Sequence, residues 1–296
     1  MGGRTGDVPA EDPFAEPSRL GAEAARAWVA ALNRRAGAPD QFRIRAELLR
    51  HLHVCAGQAV LEVGSGTGVL LGDLALAVGP DGPAVGIEPQ EAFAAEARRR
   101  LAAAGAGGRA RVVVGPIEDA PLRGGTFDAA VAQTVLIHLA EGRREAALDR
   151  MRRAVRAGGW VASADQDADT WVVDHPDRDL ARRIVRFTCE RRHADGWTGR
   201  SLPRWFRAVG LREVRAAAIA HVDTESGSHL HGLAERVARA AAAAGAVTQE
   251  EADGWIEALG QRAEAGEFVA SINFYVCSAC RQEARRRVRA RSGRDA

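Results

Sequence analysis

The stretch Val60-Leu-Glu-Val-Gly-Ser-Gly-Thr-Gly68 decides the fold that we predict for this chain. A short apolar segment runs into three glycines, Gly64, Gly66 and Gly68, and an apolar helical segment follows them. Glycine permits positive φ and lets backbone amides approach a ligand, while the N-terminus of the next helix points at the same place. The pattern therefore predicts a nucleotide-binding turn between a strand and a helix.

An acidic residue, Glu88, closes the next predicted strand within Gly86-Ile-Glu-Pro89. A carboxylate at this place can accept hydrogen bonds from both hydroxyls of a ribose, so the turn and Glu88 together predict a bound adenosine. A nicotinamide-binding fold uses the spacing G-x-G-x-x-G instead. This chain reads E-x-G-x-G-x-G from Glu62 to Gly68, which disfavours that cofactor.

Three further motifs follow the glycine turn: Gly115-Pro-Ile-Glu-Asp-Ala-Pro-Leu122, Gly125-Thr-Phe-Asp-Ala-Ala-Val-Ala-Gln-Thr-Val-Leu-Ile-His-Leu139 and Arg156-Ala-Gly-Gly-Trp-Val161. Together the four motifs resemble those of the class I (Rossmann-like) S-adenosylmethionine-dependent methyltransferases, and they stand in that family's order. The resemblance covers roughly residues 43–165. It implies S-adenosylmethionine as the cofactor and methyl transfer as the reaction.

The chain alternates predicted strands with helices of ten or more residues from residue 60 onward, which indicates parallel βαβ units. We expect an α/β fold with a seven-stranded, mostly parallel sheet, helices on both faces and an antiparallel last strand. The predicted strands are 60–63, 84–87, 111–114, 127–132, 160–164, 212–222 and 268–277. The predicted helices include 69–78, 90–104, 141–157, 178–192 and 202–209.

Two segments are expected to lie outside this sheet, one at the N-terminus and one before the last strand. Residues 1–40 are expected to form a mobile arm and an N-terminal lid helix, and residues 41–296 the methyltransferase domain. Asp40 is expected to cap the helix that starts this domain. Residues 223–266 are expected to form a helical cap on the substrate side, in which Thr248-Gln-Glu-Glu251 reads as a capping box.

The resemblance also implies a set of cofactor-binding residues. The backbone of residues 64–68 meets the methionine portion, Glu62 fixes this loop or receives the ammonium group through water, and Glu88 binds the ribose. Pro116 stands where the family often has an acidic residue that binds the adenine amino group. The Ile117 amide is then expected to contact a ring nitrogen of the adenine, and Glu118 its amino group. The remaining predicted contacts are Ser65, Thr67, Pro89, Gln90, Gln133, Thr134 and Val135.

The catalytic candidates are titratable groups expected near the strand ends where the methyl group points. Methyl transfer from a sulfonium needs alignment more than acid chemistry, and a base is required only where the acceptor loses a proton. His138, in the position of a frequent family histidine, either lines the methyl site or simply packs there. The other candidates are His193, Asp165 and Asp167.

The charge and sequence of the chain limit the classes of molecule that we expect it to bind. There are 41 basic and 39 acidic residues, so the net charge of +2 offers no general attraction to nucleic acid or to a membrane surface. Where nucleic-acid amino methyltransferases carry an Asn/Asp-Pro-Pro-aromatic motif, this chain reads Ala132-Gln-Thr-Val135. A small, partly hydrophobic metabolite is thus the expected acceptor, with methylation of an O, N or C atom in specialised-metabolite biosynthesis.

The absence of a signal core or membrane-length apolar run predicts a cytoplasmic protein. No metal is expected, because the Cys277-Ser-Ala-Cys280 pair lacks a second ligand pair and Asp165-Gln-Asp-Ala-Asp169 lacks the glycine of a calcium loop. Oligomeric state is not predicted. The alternative functions are a nicotinamide-dependent oxidoreductase and a cyclase-type or non-catalytic homologue that retains the cofactor.

Overall fold

The computed structural model describes residues 12–282. Its strands are β1 (Val60–Val63), β2 (Ala84–Glu88), β3 (Ala110–Val114), β4 (Phe127–Gln133), β5 (Val155–Val173), β6 (Arg212–Asp223) and β7 (Ala270–Cys280). Its α-helices are α1 (Ala22–Ala36), α2 (Pro39–Leu52), α3 (Val69–Val78), α4 (Glu91–Ala103), α5 (Glu141–Ala154), α6 (Arg178–Phe187), α7 (Thr198–Ala208), α8 (His229–Ala243) and α9 (Gln249–Glu264).

The strands form one seven-stranded sheet in the order β3-β2-β1-β4-β5-β7-β6. Strands β1 to β5 pair in parallel, whereas β7 runs antiparallel to both β5 and β6. Every residue of β1 and β2 is buried, as expected for central strands covered by helices on both faces. The predicted fold class, including the antiparallel last strand, is confirmed.

Two apolar cores lie on the two faces of this sheet. One contains Leu48 of α2, Leu74 of α3 and Trp255 of α9, and the other contains Leu148 of α5 and Phe206 of α7. Burying a leucine or a large aromatic side chain stabilises the fold by about 1.5–3 kcal/mol each. The helices that cover the sheet therefore hold the carboxyl ends of its parallel strands in fixed positions.

The predicted cap of α2 is wrong. The helix begins at Pro39, with Ala38 in the capping position and no side-chain cap. Proline suits the first helical position because its missing N–H would be unpaired there in any case. Asp40 instead accepts a hydrogen bond from the Val222 backbone N–H at 2.8 Å, so it joins α2 to strand β6.

Strand β5 is much longer than the predicted 160–164, because it pairs with the long strand β7 as far as Val173. Asp165 and Asp167 consequently lie within the strand, opposite Tyr275 and Asn273, and not at its end as predicted. Helix α5 also ends earlier than predicted, at Ala154, where the chain enters β5.

Two further boundaries differ from prediction. Helix α6 ends at Phe187 and a single π-helical turn, Thr188–Arg192, follows it. Strand β7 extends to Cys280, so Cys277 and Cys280 are both buried within the strand. Residues three apart on a strand point to opposite faces, which prevents these two thiols from sharing a metal ion.

The two added regions lie on the same side of the fold. Before α1, the described residues 12–20 contain a 3-10 turn, Pro17–Arg19; the rest of the predicted arm, residues 1–11, lies outside the described residues. Helix α8 contacts α1, α6 and α9, and the capping box at Thr248 is present at the start of α9. Between residues 12 and 282, none of the helices has the length and hydrophobicity to cross a bilayer.

Candidate cofactor and methyl-transfer site

A cavity of about 450 Å³ opens at the carboxyl ends of β1, β2 and β4, beneath residues 14–19 of the N-terminal segment. Ligands of open α/β sheets bind at this edge. Most of the predicted cofactor residues meet there. Its lining includes Glu62, Gly64, Ser65, Gly66, Thr67, Glu88, Pro89, Pro116, Ile117, Glu118, Gln133, Thr134, Val135 and His138.

The three glycines of the turn differ in their surroundings, although each has a positive φ. A Cβ on Gly64 would lie 2.4 Å from Val135 Cγ2, and a Cβ on Gly68 would lie 2.7 Å from the Cβ of Ala97. These two glycines allow close packing of the turn against its neighbours. A Cβ on Gly66 would meet nothing within 4 Å, so Gly66 faces open space.

Two predicted cofactor residues lie outside the lining of the cavity. Gly68 packs against Ala97 of α4, as its close approach shows. Gln90 uses its side-chain oxygen to accept from the Ala92 amide at the start of α4. Its amide nitrogen donates to the Pro17 carbonyl at 2.6 Å, so Gln90 anchors the N-terminal segment.

Two buried carboxylates stand beside the turn. Glu88 accepts from the Gly66 amide at 2.8 Å and from the Gln90 amide at 2.9 Å. Burial raises the pKa of Glu88 to about 7, against the effect of those two hydrogen bonds. Burial and the nearby Glu88 raise the pKa of Glu62 well above its usual value, and Glu62 Oε2 has no hydrogen-bond partner. A cationic ligand would favour the charged forms of both groups.

The end of β4 is held by side chains from the N-terminal helices. Thr134 has a φ of 54°, an uncommon conformation for a residue other than glycine, and its hydroxyl accepts from Arg35 of α1. Gln133 donates to the Gln41 side-chain oxygen at 3.4 Å. Gln41 in turn bonds to His221 of β6 at 2.9 Å. The added helices thus form part of the cavity wall.

The structure brings two predicted catalytic residues together through a residue that the sequence did not reveal. His138 Nδ1 lies 2.6 Å from Asp12 Oδ2, and His193 Nδ1 lies 3.5 Å from the same oxygen. Burial alone would raise the pKa of Asp12, but the two histidines outweigh it and hold this pKa well below its usual value. Burial lowers the pKa of His193. Asp12 is therefore an ionised acceptor for both rings.

Asp12 reaches this position because Phe14 anchors its segment. The Phe14 ring centroid lies 4.8 Å from that of Trp28 and 5.0 Å from that of His138. An aromatic residue within an arm rich in proline and acidic residues was the available sequence signal. The nitrogens of the two histidines and the Asp12 oxygen lie within 4.8 Å of one another, a spacing that could also hold a metal ion.

Neither Asp165 nor Asp167 lines the cavity. Asp165 is fully buried and accepts from the Ser163 hydroxyl at 2.7 Å and from the Ile137 amide at 3.3 Å. Burial raises the pKa of Asp165 to about 6. Asp167 pairs with Arg200 of α7, with one contact at 2.9 Å. Asp165 therefore supports the turn that carries His138, while Asp167 joins β5 to α7.

Comparison with known proteins gives a match at the same segment. Residues 60–159 match the methyltransferase domain family. This segment, from β1 to the start of β5, is therefore similar to known methyltransferase domains. The matched residues contain the glycine turn, Glu88 and the whole of β4, which form the floor of the cavity.

One of the curated relatives matches most of this chain. An uncharacterized 37.1 kDa protein in transposon TN4556 of Streptomyces fradiae is 30% identical over 234 residues, covering 78% of this chain and 65% of that protein. The chain thus spans slightly under two thirds of the length of this curated relative.

Two solved structures share the fold at low identity. A putative methyltransferase from Bacillus halodurans is 14% identical with a TM-score of 0.55, covering 81% of this chain and 99% of that one. Phosphoethanolamine N-methyltransferase 2 of Haemonchus contortus, in complex with S-adenosyl-L-methionine, is 13% identical with a TM-score of 0.57, covering 94% and 61%.

Proposed function

We propose that this protein binds S-adenosylmethionine in the 450 Å³ cavity and transfers its methyl group to an O, N or C atom of a small, partly hydrophobic metabolite. The observation that carries the proposal is the pairing of an open Gly66 with two buried carboxylates, Glu62 and Glu88, at the matched glycine turn. We propose further that it acts in specialised-metabolite biosynthesis and holds the cofactor through the contacts predicted from the sequence.

The two carboxyl groups at the turn favour a cationic cofactor, which would stabilise their ionised forms. S-adenosylmethionine carries an ammonium and a sulfonium, whereas a nicotinamide dinucleotide carries a pyrophosphate. Ionised Glu62 and Glu88 would attract the former and repel the latter. The open space at Gly66 matches the close approach that the turn must offer to the cofactor. These points support S-adenosylmethionine over a nicotinamide cofactor.

The acceptor is expected beside His138, where Phe14 supplies apolar surface and is itself packed against Trp28. Phe14, on the N-terminal segment, lies over the cavity and would limit the access of water to the methyl group. His138 is held through Nδ1 by Asp12, which leaves Nε2 as the nitrogen that can take a proton. The proposed roles are therefore positioning by the apolar walls and proton acceptance by His138.

The cofactor supplies an electrophilic methyl group on a leaving sulfur that departs as a neutral thioether. For a hydroxyl acceptor, the oxygen lone pair forms the new bond to carbon while the electrons of the carbon–sulfur bond remain on sulfur. His138 Nε2 takes the hydroxyl proton, and Asp12 stabilises the imidazolium through Nδ1. The second histidine, His193, lies near the same Asp12 oxygen and would help to fix the orientation of this carboxylate.

A product assay tests this function. The purified chain would be incubated with methyl-labelled S-adenosylmethionine and a panel of phenols, carboxylic acids, amines and activated carbon acids. Label recovered in one acceptor class, with an equal yield of S-adenosylhomocysteine, supports the proposal. Tight cofactor binding without transfer to any acceptor class would instead favour a homologue that retains the cofactor without consuming it.

A further inference from the structure

A second cavity, of about 390 Å³, lies between α1 and the start of α8. It shares no lining residue with the cofactor cavity. Helix α1 separates the two, since Arg35 faces the cofactor cavity and its neighbour Arg34 lines the second one. A ligand here would therefore not compete directly with the cofactor.

The second cavity carries two arginines. Arg34 of α1 and Arg236 of α8 both line it, and neither forms an ion pair with a carboxylate in the described part of the chain. The Arg236 Nε is buried and has no hydrogen-bond partner, while its guanidinium lies 5.5 Å from the Trp28 ring centroid. Burial, followed by repulsion from Arg192 and Arg34, lowers the pKa of Arg236 to about 10.

The other charges around the cavity neutralise this pair only in part, through the attraction of Glu235 for Arg236. Glu235 is the carboxylate among its described lining residues, and its oxygen lies 3.9 Å from His231 Nδ1. Asp223 is engaged by His221 and by the Leu230 amide. The cavity thus retains positive charge that an anionic ligand would neutralise.

The N-terminus of helix α8 adds little to this site, because two backbone amides of its first turn already donate hydrogen bonds within the protein. The Leu230 amide donates to Asp223 at 2.7 Å, and the His231 amide donates to the Ser228 hydroxyl at 3.4 Å. Recognition must therefore come from side chains. His231 lines the cavity, is only 7% exposed, and its Nε2 has no partner.

We propose that this cavity binds a phosphate group, with Arg34 and Arg236 as its charged donors and His231 as a further hydrogen-bond donor. Arginine forms bidentate hydrogen bonds with phosphate oxygens, which would satisfy the free Nε of Arg236. Free phosphate and a small phosphate ester present the same group. By bridging α1 and α8, a bound phosphate would also hold the N-terminal helices against residues 223–266.

The test is calorimetric titration of the full chain, in a chloride buffer free of phosphate and sulfate, with inorganic phosphate, pyrophosphate and glycerol phosphate. Saturable binding is expected, and Arg236→Gln should weaken it by about 10-fold or more, since a charge-assisted hydrogen bond is lost. Tighter binding of glycerol phosphate would indicate a phosphate ester as ligand, and tighter binding of the inorganic anions a free phosphate.

Arg26→Gln is the matched control, because Arg26 is exposed on α1, lines neither cavity and gives the same change in charge. Arg34→Gln, at an exposed position, keeps the test valid if Arg236→Gln fails to fold. Equal weakening in Arg26→Gln and Arg34→Gln, or no saturable binding by the parent, would overturn the proposal. S-adenosylhomocysteine binding is measured on the same samples, so failure of this site is distinguishable from failure of the cofactor site.

Discussion

The Asp12 carboxylate lies 2.6 Å from Nδ1 of His138, joining the segment before the first helix to the turn after β4. The contact is partly buried, and the same Asp12 oxygen lies 3.5 Å from His193. Folding of the N-terminal segment over the cofactor cavity therefore also orients the proposed proton acceptor.

The first prediction concerns Asp12, as a positioning residue. Asp12→Asn should lower turnover by roughly 10-fold to 100-fold with a hydroxyl acceptor, less than the 10²–10⁴-fold expected for His138→Ala. Turnover with affinity for S-adenosylhomocysteine measured in parallel checks this. Glu23→Gln, exposed at the start of α1 and outside the lining of the cavity, is the control; an equal loss there would remove Asp12 from the mechanism.

The second prediction is that substitutions of Gly66 and Gly68 differ in their effects, the first acting mainly on cofactor binding and the second mainly on stability. Gly66→Val should abolish cofactor binding, because the new side chain enters open space in the cavity, and its positive φ of 52° should cost the fold some stability as well. Gly68→Val should lower the free energy of unfolding by about 1–3 kcal/mol more than Gly66→Val does, since its Cβ would also meet Ala97. Thermal unfolding and S-adenosylhomocysteine titration of both variants give the comparison. Similar unfolding of the two variants would contradict it.

Much of this site was predictable because its geometry is local. The glycine turn, Glu88 and residues 133–135 lie at strand ends that the sequence pattern locates directly, and parallel strands bring these ends to one edge. Asp12 was missed because its contact with His138 depends on how a distant segment packs, which no local pattern records. Asp165 was misplaced because the length of β5 is set by its partner β7.

The third prediction is that Glu88→Ala weakens cofactor binding by roughly 1–3 kcal/mol, because buried ribose hydroxyls lose their acceptor. Glu91→Ala, an exposed residue nearby in the first turn of α4, is the control and should bind as the parent does. Calorimetry with S-adenosylhomocysteine measures both. Parent-like binding by Glu88→Ala would remove Glu88 from the cofactor site.

The fourth prediction is a pH dependence set by Glu88, whose pKa of about 7 lies above its unfolded value near 4.5. The folded state holds this proton while the unfolded state has released it, so the contribution to stability is present below pH 4.5 and is lost as pH rises to about 7. Cofactor binding has the opposite trend, because it favours the carboxylate. Affinity should fall as pH decreases below 7, with proton release on binding, and Glu88→Gln should flatten this trend. Proton uptake by the parent would contradict it.

The most direct measurement is a pair of calorimetric titrations of the purified chain, one with S-adenosylhomocysteine and one with NAD. Saturable binding of S-adenosylhomocysteine at roughly micromolar affinity, with no heat of binding from NAD, is expected from the turn at Gly64, Gly66 and Gly68 and from Glu88. Tight binding of NAD with no response to S-adenosylhomocysteine would contradict the proposed function.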